Sequence, residues 1–211
     1  MPRRMPPLLR QLEAAIDKAV AIAEAGEVIR AHLPLGSTVR RELVPSRLEA
    51  LNELAYLRVF LSWESFLEDS FLHYLCGFEN SSGPLRLILP RFRTLEDARN
   101  DLLHGADFVS WYSPQRIVRR SQKYANSGPH EVVIRSSQAR LEWFAAIRGR
   151  IAHSSNYARA EFDRATVGLV GRRIRGANPG LFLRSPEVTS GVRWLVAIAT
   201  EFKNLAAQVT P

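Results

Sequence analysis

Cysteine is nearly absent. Cys76 stands alone in 211 residues, so no disulfide can form within the chain. No apolar run approaches the roughly 18–20 residues that a membrane helix needs. Arg10, Glu13, Asp17 and Lys18 interrupt any signal-peptide core behind Arg3 and Arg4. These absences point to a cytoplasmic chain with no membrane partner. Glycine-rich phosphate loops, HExxH and CxxC are also missing, which sets aside the commonest nucleotide-loop, zinc-protease and dithiol chemistries. No metal or cofactor is expected. Lysine is scarce, with three against 26 arginines, and methionine occurs twice. Such a skew follows from GC-rich codon usage as readily as from function.

What is present is an ordinary globular balance, 46% hydrophobic and 24% charged. A chain of this length buries a core without a staple, and one domain spanning 1–211 is expected. The net charge is +8, and its placement is uneven. Between Ser110 and Arg184 lie 14 basic and four acidic residues, while the remainder holds 15 and 17. The whole excess falls in one stretch, as for a surface that faces a polyanion such as RNA. Arg119, Arg120, Arg172 and Arg173 are the expected backbone contacts. A solvated arginine-rich surface is the competing explanation.

The periodicity is helical nearly throughout. Leu8, Leu12, Ile16, Ala19 and Ala23 recur at threes and fours, predicting a helix from about 7 to 32, ended by Pro34 and Gly36. Ser46 and Glu49 have capping-box spacing, and a long helix follows to Cys76, with Gly77 as its stop. Its apolar residues, among them Leu48, Leu54, Phe60, Leu61, Leu67 and Phe71, form more than one stripe, so it should be central and well buried. Residues 78–93, including Ser81, Ser82, Gly83 and Pro84, read as loop. Thr94 and Asp97 cap a short helix to His104. Ser113 and Pro114 open a basic helix to about Ala125. Asn126 to Pro129 is a break, and helices follow over about 137–153 and 156–170. Residues 172–184 read as an irregular or hairpin segment, and a last helix runs from Ser185-Pro186 to about Gln208. The expected fold is an all-α bundle of five or more helices.

Few residue constellations carry chemistry. His73 and Cys76 stand i, i+3, but two ligands make no metal site, and both sit among apolar neighbours. Glu64 and Glu68 share a helix face and read most simply as solvated or paired carboxylates. His32 and His130 flank breaks and give no signal. The stretch Arg148-Gly149-Arg150-Ile151-Ala152-His153 stands out, with an arginine and a histidine separated by four residues. That spacing alone is weak: 26 arginines and five histidines in 211 residues yield about 0.6 such pairs by chance. A second copy exists at Arg99 and His104.

The ending Ile151-Ala152-His153-Ser154-Ser155 resembles the motif of the HEPN superfamily, the higher eukaryotes and prokaryotes nucleotide-binding domains. Its signature is an arginine, four to six residues and a histidine on a bundle of four or more helices. The segment from Ser62 to Asp69 resembles the family's second helix, where an acidic residue sits amid aromatics. Gly149 departs from the asparagine, aspartate or histidine usual after the arginine; Arg99-Asn100 matches that opening better. The resemblance implies a HEPN-like fold, metal-independent RNA cleavage with Arg148 and His153 as catalytic residues, and support from Glu64, Asp69, Arg150, Ser154 and Asn156. Arg99 and His104 are the runner-up pair. It further implies a homodimer with the motifs at its interface, and a toxin or antiphage defence role with an antitoxin or companion protein. Other members of the family are non-catalytic modules that bind RNA or protein. A plain helical adaptor whose basic stretch meets an acidic protein is a third possibility.

Stepping back four and seven from Arg148 reaches Phe144 and Leu141, so the arginine emerges beside the apolar stripe of its helix. It should therefore open onto a cleft or an interface, or snorkel to water. His153 lies about 140° further around an ideal helix, so the two cannot stack on one face. They flank one groove only if the helix ends at the histidine or a two-fold partner supplies the other wall.

Overall fold

The protein is described by a computed structural model covering residues 3–81, 83–174 and 176–211. Ser82 of the first loop and Arg175 of the 172–184 segment lie outside the described residues. The fold is all-α. In chain order the elements are β1 (Arg3–Arg4), α1 (Leu8–His32), α2 (Thr38–Glu42), α3 (Pro45–Leu75), β2 (Phe78–Glu79), α4 (Leu95–Leu103), α5 (Pro114–Tyr124), α6 (Pro129–Ser136), α7 (Gln138–Ala152), α8 (Asn156–Val170), α9 (Pro179–Arg184) and α10 (Trp194–Val209). No helix among the described residues is long and apolar enough to cross a membrane.

Local chemistry explains most boundaries. Pro45 occupies the first helical position of α3, and the Leu48 amide reaches the Val44 carbonyl at 3.2 Å. Ser46 is therefore inside the first turn and does not cap it. Gly77 ends α3 at φ +77°, a conformation that costs glycine little. Thr94 accepts from the Asp97 amide at 3.0 Å and opens α4 as its spacing predicts. The break after Ala125 is short, because Pro129 starts α6, a helix absent from the periodicity reading. Among the described residues of 172–184 no hairpin forms. Asn178 caps α9 instead, accepting from the Leu181 amide at 2.7 Å. Pro186 pairs with Arg193 across an isolated bridge, so α10 begins at Trp194, well after the Ser185-Pro186 signal.

The chain divides into two compact units. The first comprises residues 3–12, 63–142 and 203–211. Here β1 and β2 pair in parallel, with Arg3 opposite Phe78 and Arg4 opposite Glu79. Phe71 is its aromatic hub, with ring centroids at 5.6 Å to Trp111, 5.9 Å to Tyr124 and 5.0 Å to His130. The Tyr74 hydroxyl donates to the Val209 carbonyl at 2.7 Å and ties the C-terminal turn to α3.

The second unit comprises residues 13–62 and 143–202. Phe202 stacks edge-on against Phe60 at 5.8 Å and Phe144 at 5.5 Å. The Tyr56 hydroxyl donates to the Phe144 carbonyl at 2.7 Å, a buried bond across 88 residues. Arg184 ends α9 in a partly buried ion pair with Glu27 at 2.5 Å. Gly180 lets α9 lie directly on α3: a Cβ there would stand 2.7 Å from the Glu49 carbonyl. Along α3 the burial expectation needs one correction. Leu54 and Leu61 are 61% and 51% exposed. The buried positions, from Leu48 through Tyr56, Val59 and Trp63 to Leu72, follow a broad face that leaves part of the circumference to solvent.

Candidate functional site

Arg148 and His153 both belong to the second unit. Leu141, Phe144 and Ile147 are the buried stripe of α7 and set the helix against its core; Arg148 follows Ile147 and is half-buried. The helix ends at Ala152, and the His153 amide closes its last turn on the Gly149 carbonyl at 3.0 Å. Arg150 braces the same turn, donating from Nη1 to the His153 carbonyl at 3.1 Å. Two residues later Ser155 caps α8, accepting from the Ala158 amide at 3.2 Å. His153, Ser154, Ser155 and Asn156 are all exposed, so the imidazole stands at a corner between two capped helices. Gly149 lines no close contact; a Cβ there would meet nothing within 4 Å.

The other sequence-named residues are distributed across both units. Glu64 and Asp69 lie half-buried on the part of α3 in the first unit, where the Asp69 carbonyl accepts from His73 Nδ1 at 2.7 Å. Arg99 pairs with Glu68 at 3.2 Å on α4 and α3. His104 takes the left-handed cap of α4 at φ 44° and contacts Lys123. This copy of the motif therefore has an arginine held by a carboxylate and a histidine that terminates a helix. Cys76 Sγ donates to the Thr94 carbonyl at 3.2 Å, so His73 and Cys76 are both engaged by backbone. Among the described residues no group of three or more His, Cys, Asp or Glu is placed to hold a metal ion.

The basic stretch is split between the units. Residues 110–142, in the first, hold six basic and two acidic side chains; residues 143–184, in the second, hold eight and two. Arg119 is exposed on α5, as are Arg172 and Arg173 after α8, where Arg173 lies 3.7 Å from Asp163. Arg120 differs from these three. Its guanidinium covers the Trp111 ring at 4.4 Å, and Nη2 donates to the Ser110 carbonyl at 3.2 Å. Burial pushes its pKa below the usual guanidinium range, partly offset by the fields of Tyr124 and Glu68.

Two buried polar features escaped the sequence reading. His130, passed over as a loop-flanking residue, is fully buried in the first unit against Phe71 and Tyr74. Arg120, an expected backbone contact, is half-buried on a tryptophan nine residues earlier, in a loop where no period applies. Compared with protein-family models, curated proteins and solved structures, the chain finds no match in any of the three.

Proposed function

We propose that this chain is a metal-independent endoribonuclease of HEPN type, with Arg148 and His153 as its catalytic pair. The observation that carries the reading is the end of α7, where the motif Arg148-x4-His153 finishes as an exposed histidine one residue past the helix, with Arg148 half-buried behind it. Histidine moves protons near neutral pH. Arginine's planar fork holds two phosphate oxygens while charge builds on phosphorus. In the reaction the 2′-oxygen of the RNA bonds to the adjacent phosphorus and the bond to the 5′-oxygen breaks. The imidazole takes the 2′-hydroxyl proton, and solvent water protonates the departing 5′-oxygen. The products carry a 2′,3′-cyclic phosphate and a 5′-hydroxyl.

Arg150 and the Ser155 cap hold the corner on which His153 sits, and the exposed Arg119, Arg172 and Arg173 supply contacts to the RNA backbone. Exposure of the whole 153–156 corner is compatible with a homodimer in which two motifs share one cleft. A toxin or antiphage role with a companion protein follows from the same resemblance. The test is incubation of purified protein with structured RNA in EDTA, comparing wild type with His153→Ala. Cleavage by wild type alone, with cyclic phosphate ends, supports the proposal; equal cleavage by both, or by neither, overturns it.

Gly149 favours a second reading, a non-catalytic HEPN-like module that binds RNA or protein. The glycine stands where active relatives of the resembled family carry a polar side chain, and no neighbour fills the space.

A further inference from the structure

The segment between α4 and α5, with the facing ends of both helices, borders an open pocket of about 440 Å³. That volume lies within the roughly 300–1,000 Å³ of small-molecule sites. Leu102, Leu103 and Val109 give it an apolar wall, Phe108 stands over it 75% exposed, and Arg116 and Arg120 supply two positive charges. Asp107, exposed, is the one carboxylate among its lining residues.

The polar groups here are incomplete. Two lining residues, Arg120 through Nη1 and Ser110 through its hydroxyl, have buried atoms with no hydrogen-bond partner among the described residues; so does the indole N–H of Trp111, which neighbours the pocket without lining it. Buried donors are nearly always satisfied. These three groups lie on two adjacent residues and on an arginine that the first two already hold, through the Ser110 carbonyl and the Trp111 ring. The guanidinium and the indole can only donate, so what these two lack is an acceptor, while the hydroxyl can serve either way. The Trp111 face attracts the Arg120 cation without giving it an acceptor.

We propose that this cavity binds a small organic oxyanion, a carboxylate or phosphate monoester carried on an aromatic or apolar body. The oxyanion accepts from Arg116, Arg120 and Ser110, and its apolar body lies between Phe108 and the leucine wall. The site is distinct from the ribonuclease proposal, because every lining residue belongs to the first unit and Arg148 and His153 to the second.

Titration of the full chain with four probes tests this, read by calorimetry and tryptophan fluorescence. Phenyl phosphate and benzoate separate the two oxyanion classes, inorganic phosphate reports charge alone, and benzyl alcohol reports the ring alone. At least one aromatic anion should bind ten times or more tighter than both inorganic phosphate and benzyl alcohol. Phe108→Ala and Arg116→Gln, both at exposed positions, should each weaken it about tenfold. Arg86→Gln, exposed and outside the cavity, should change it less than twofold. Arg148→Ala should leave it intact, whatever becomes of RNA cleavage. No binding by either aromatic anion overturns the proposal. So does binding that inorganic phosphate matches, or binding that survives Phe108→Ala and Arg116→Gln but is lost in Arg148→Ala.

Discussion

His130 Nε2 lies 3.0 Å from the Ser70 hydroxyl and 3.1 Å from the Leu67 carbonyl. Because Ser70 donates its own proton to the Phe66 carbonyl at 2.7 Å, the imidazole must be the donor to both oxygens. The ring is fully buried, and burial lowers its pKa from 6.5 to about 4, partly opposed by the bond to Leu67.

That shift makes stability depend on pH. Above pH 6.5 the histidine is neutral in both folded and unfolded chains, and its full contribution is present. As pH falls towards 4, the unfolded chain takes up the proton and the folded one resists. The loss should reach on the order of 3 kcal/mol. Urea unfolding of wild type and His130→Gln between pH 7 and pH 4 measures it. The wild-type curve should be the steeper of the two. Parallel curves would place the acid sensitivity elsewhere.

The two motif copies should behave differently in RNA cleavage. Arg148→Ala and His153→Ala should each cost about 10²–10⁴ in rate, the range for losing an acid–base group or a charge-stabilising donor. Arg99→Ala breaks a half-exposed pair with Glu68 and His104→Ala removes a helix terminator, so both should cleave nearly as wild type does. The reverse result would transfer the active site to α4.

Gly149 offers a gain-of-function test. Nothing within 4 Å obstructs a side chain there, so Gly149→Asn should fold with an unchanged melting temperature. If the wild-type chain does not cleave and this variant does, the glycine marks a module that has lost catalysis. If neither cleaves RNA that wild type binds, the binding-module reading stands.

RNA affinity should fall steeply with salt, since each neutralised phosphate releases counterions. For a single strand the slope of log affinity against log salt should drop by about 0.7 for each of Arg119, Arg172 and Arg173 changed to alanine. Filter binding at 50–200 mM salt reads this. A flat salt response would favour an acidic protein partner.

Gly180→Ala should be costly although alanine is the better helix former. The added methyl would meet the Glu49 Cβ at 2.6 Å and its carbonyl at 2.7 Å, both on the neighbouring helix. Overpacking of that kind costs about 1–3 kcal/mol. Thermal unfolding should show it against a Gly149→Ala control, which has open space.

The limits of legibility follow residue by residue. Thr94 before Asp97, Asn156 after two serines and Gly77 after a long apolar run are local signals, and each marks a real helix boundary. Ser46 misleads because Pro45 can itself occupy the first helical position, two residues earlier than a capping box would put it. Pro129 was read as part of a break when it opens α6, and Ser185-Pro186 as an opening when it leads into a bridged turn. A proline marks both the start of a helix and the end of a loop, and only the following contacts decide which.

The sequence by itself determined the helical class, most of the helix boundaries, the skewed charge and the Arg148-x4-His153 motif, because period, capping and composition act within a few neighbours. Tertiary structure alone decided that His130 is buried and neutral, that Arg120 is half-buried on Trp111, and that Leu54 and Leu61 remain exposed. Those outcomes depend on which distant side chain fills the space beside each residue. Ser70 is 60 residues from His130, and no local pattern records so remote a neighbour.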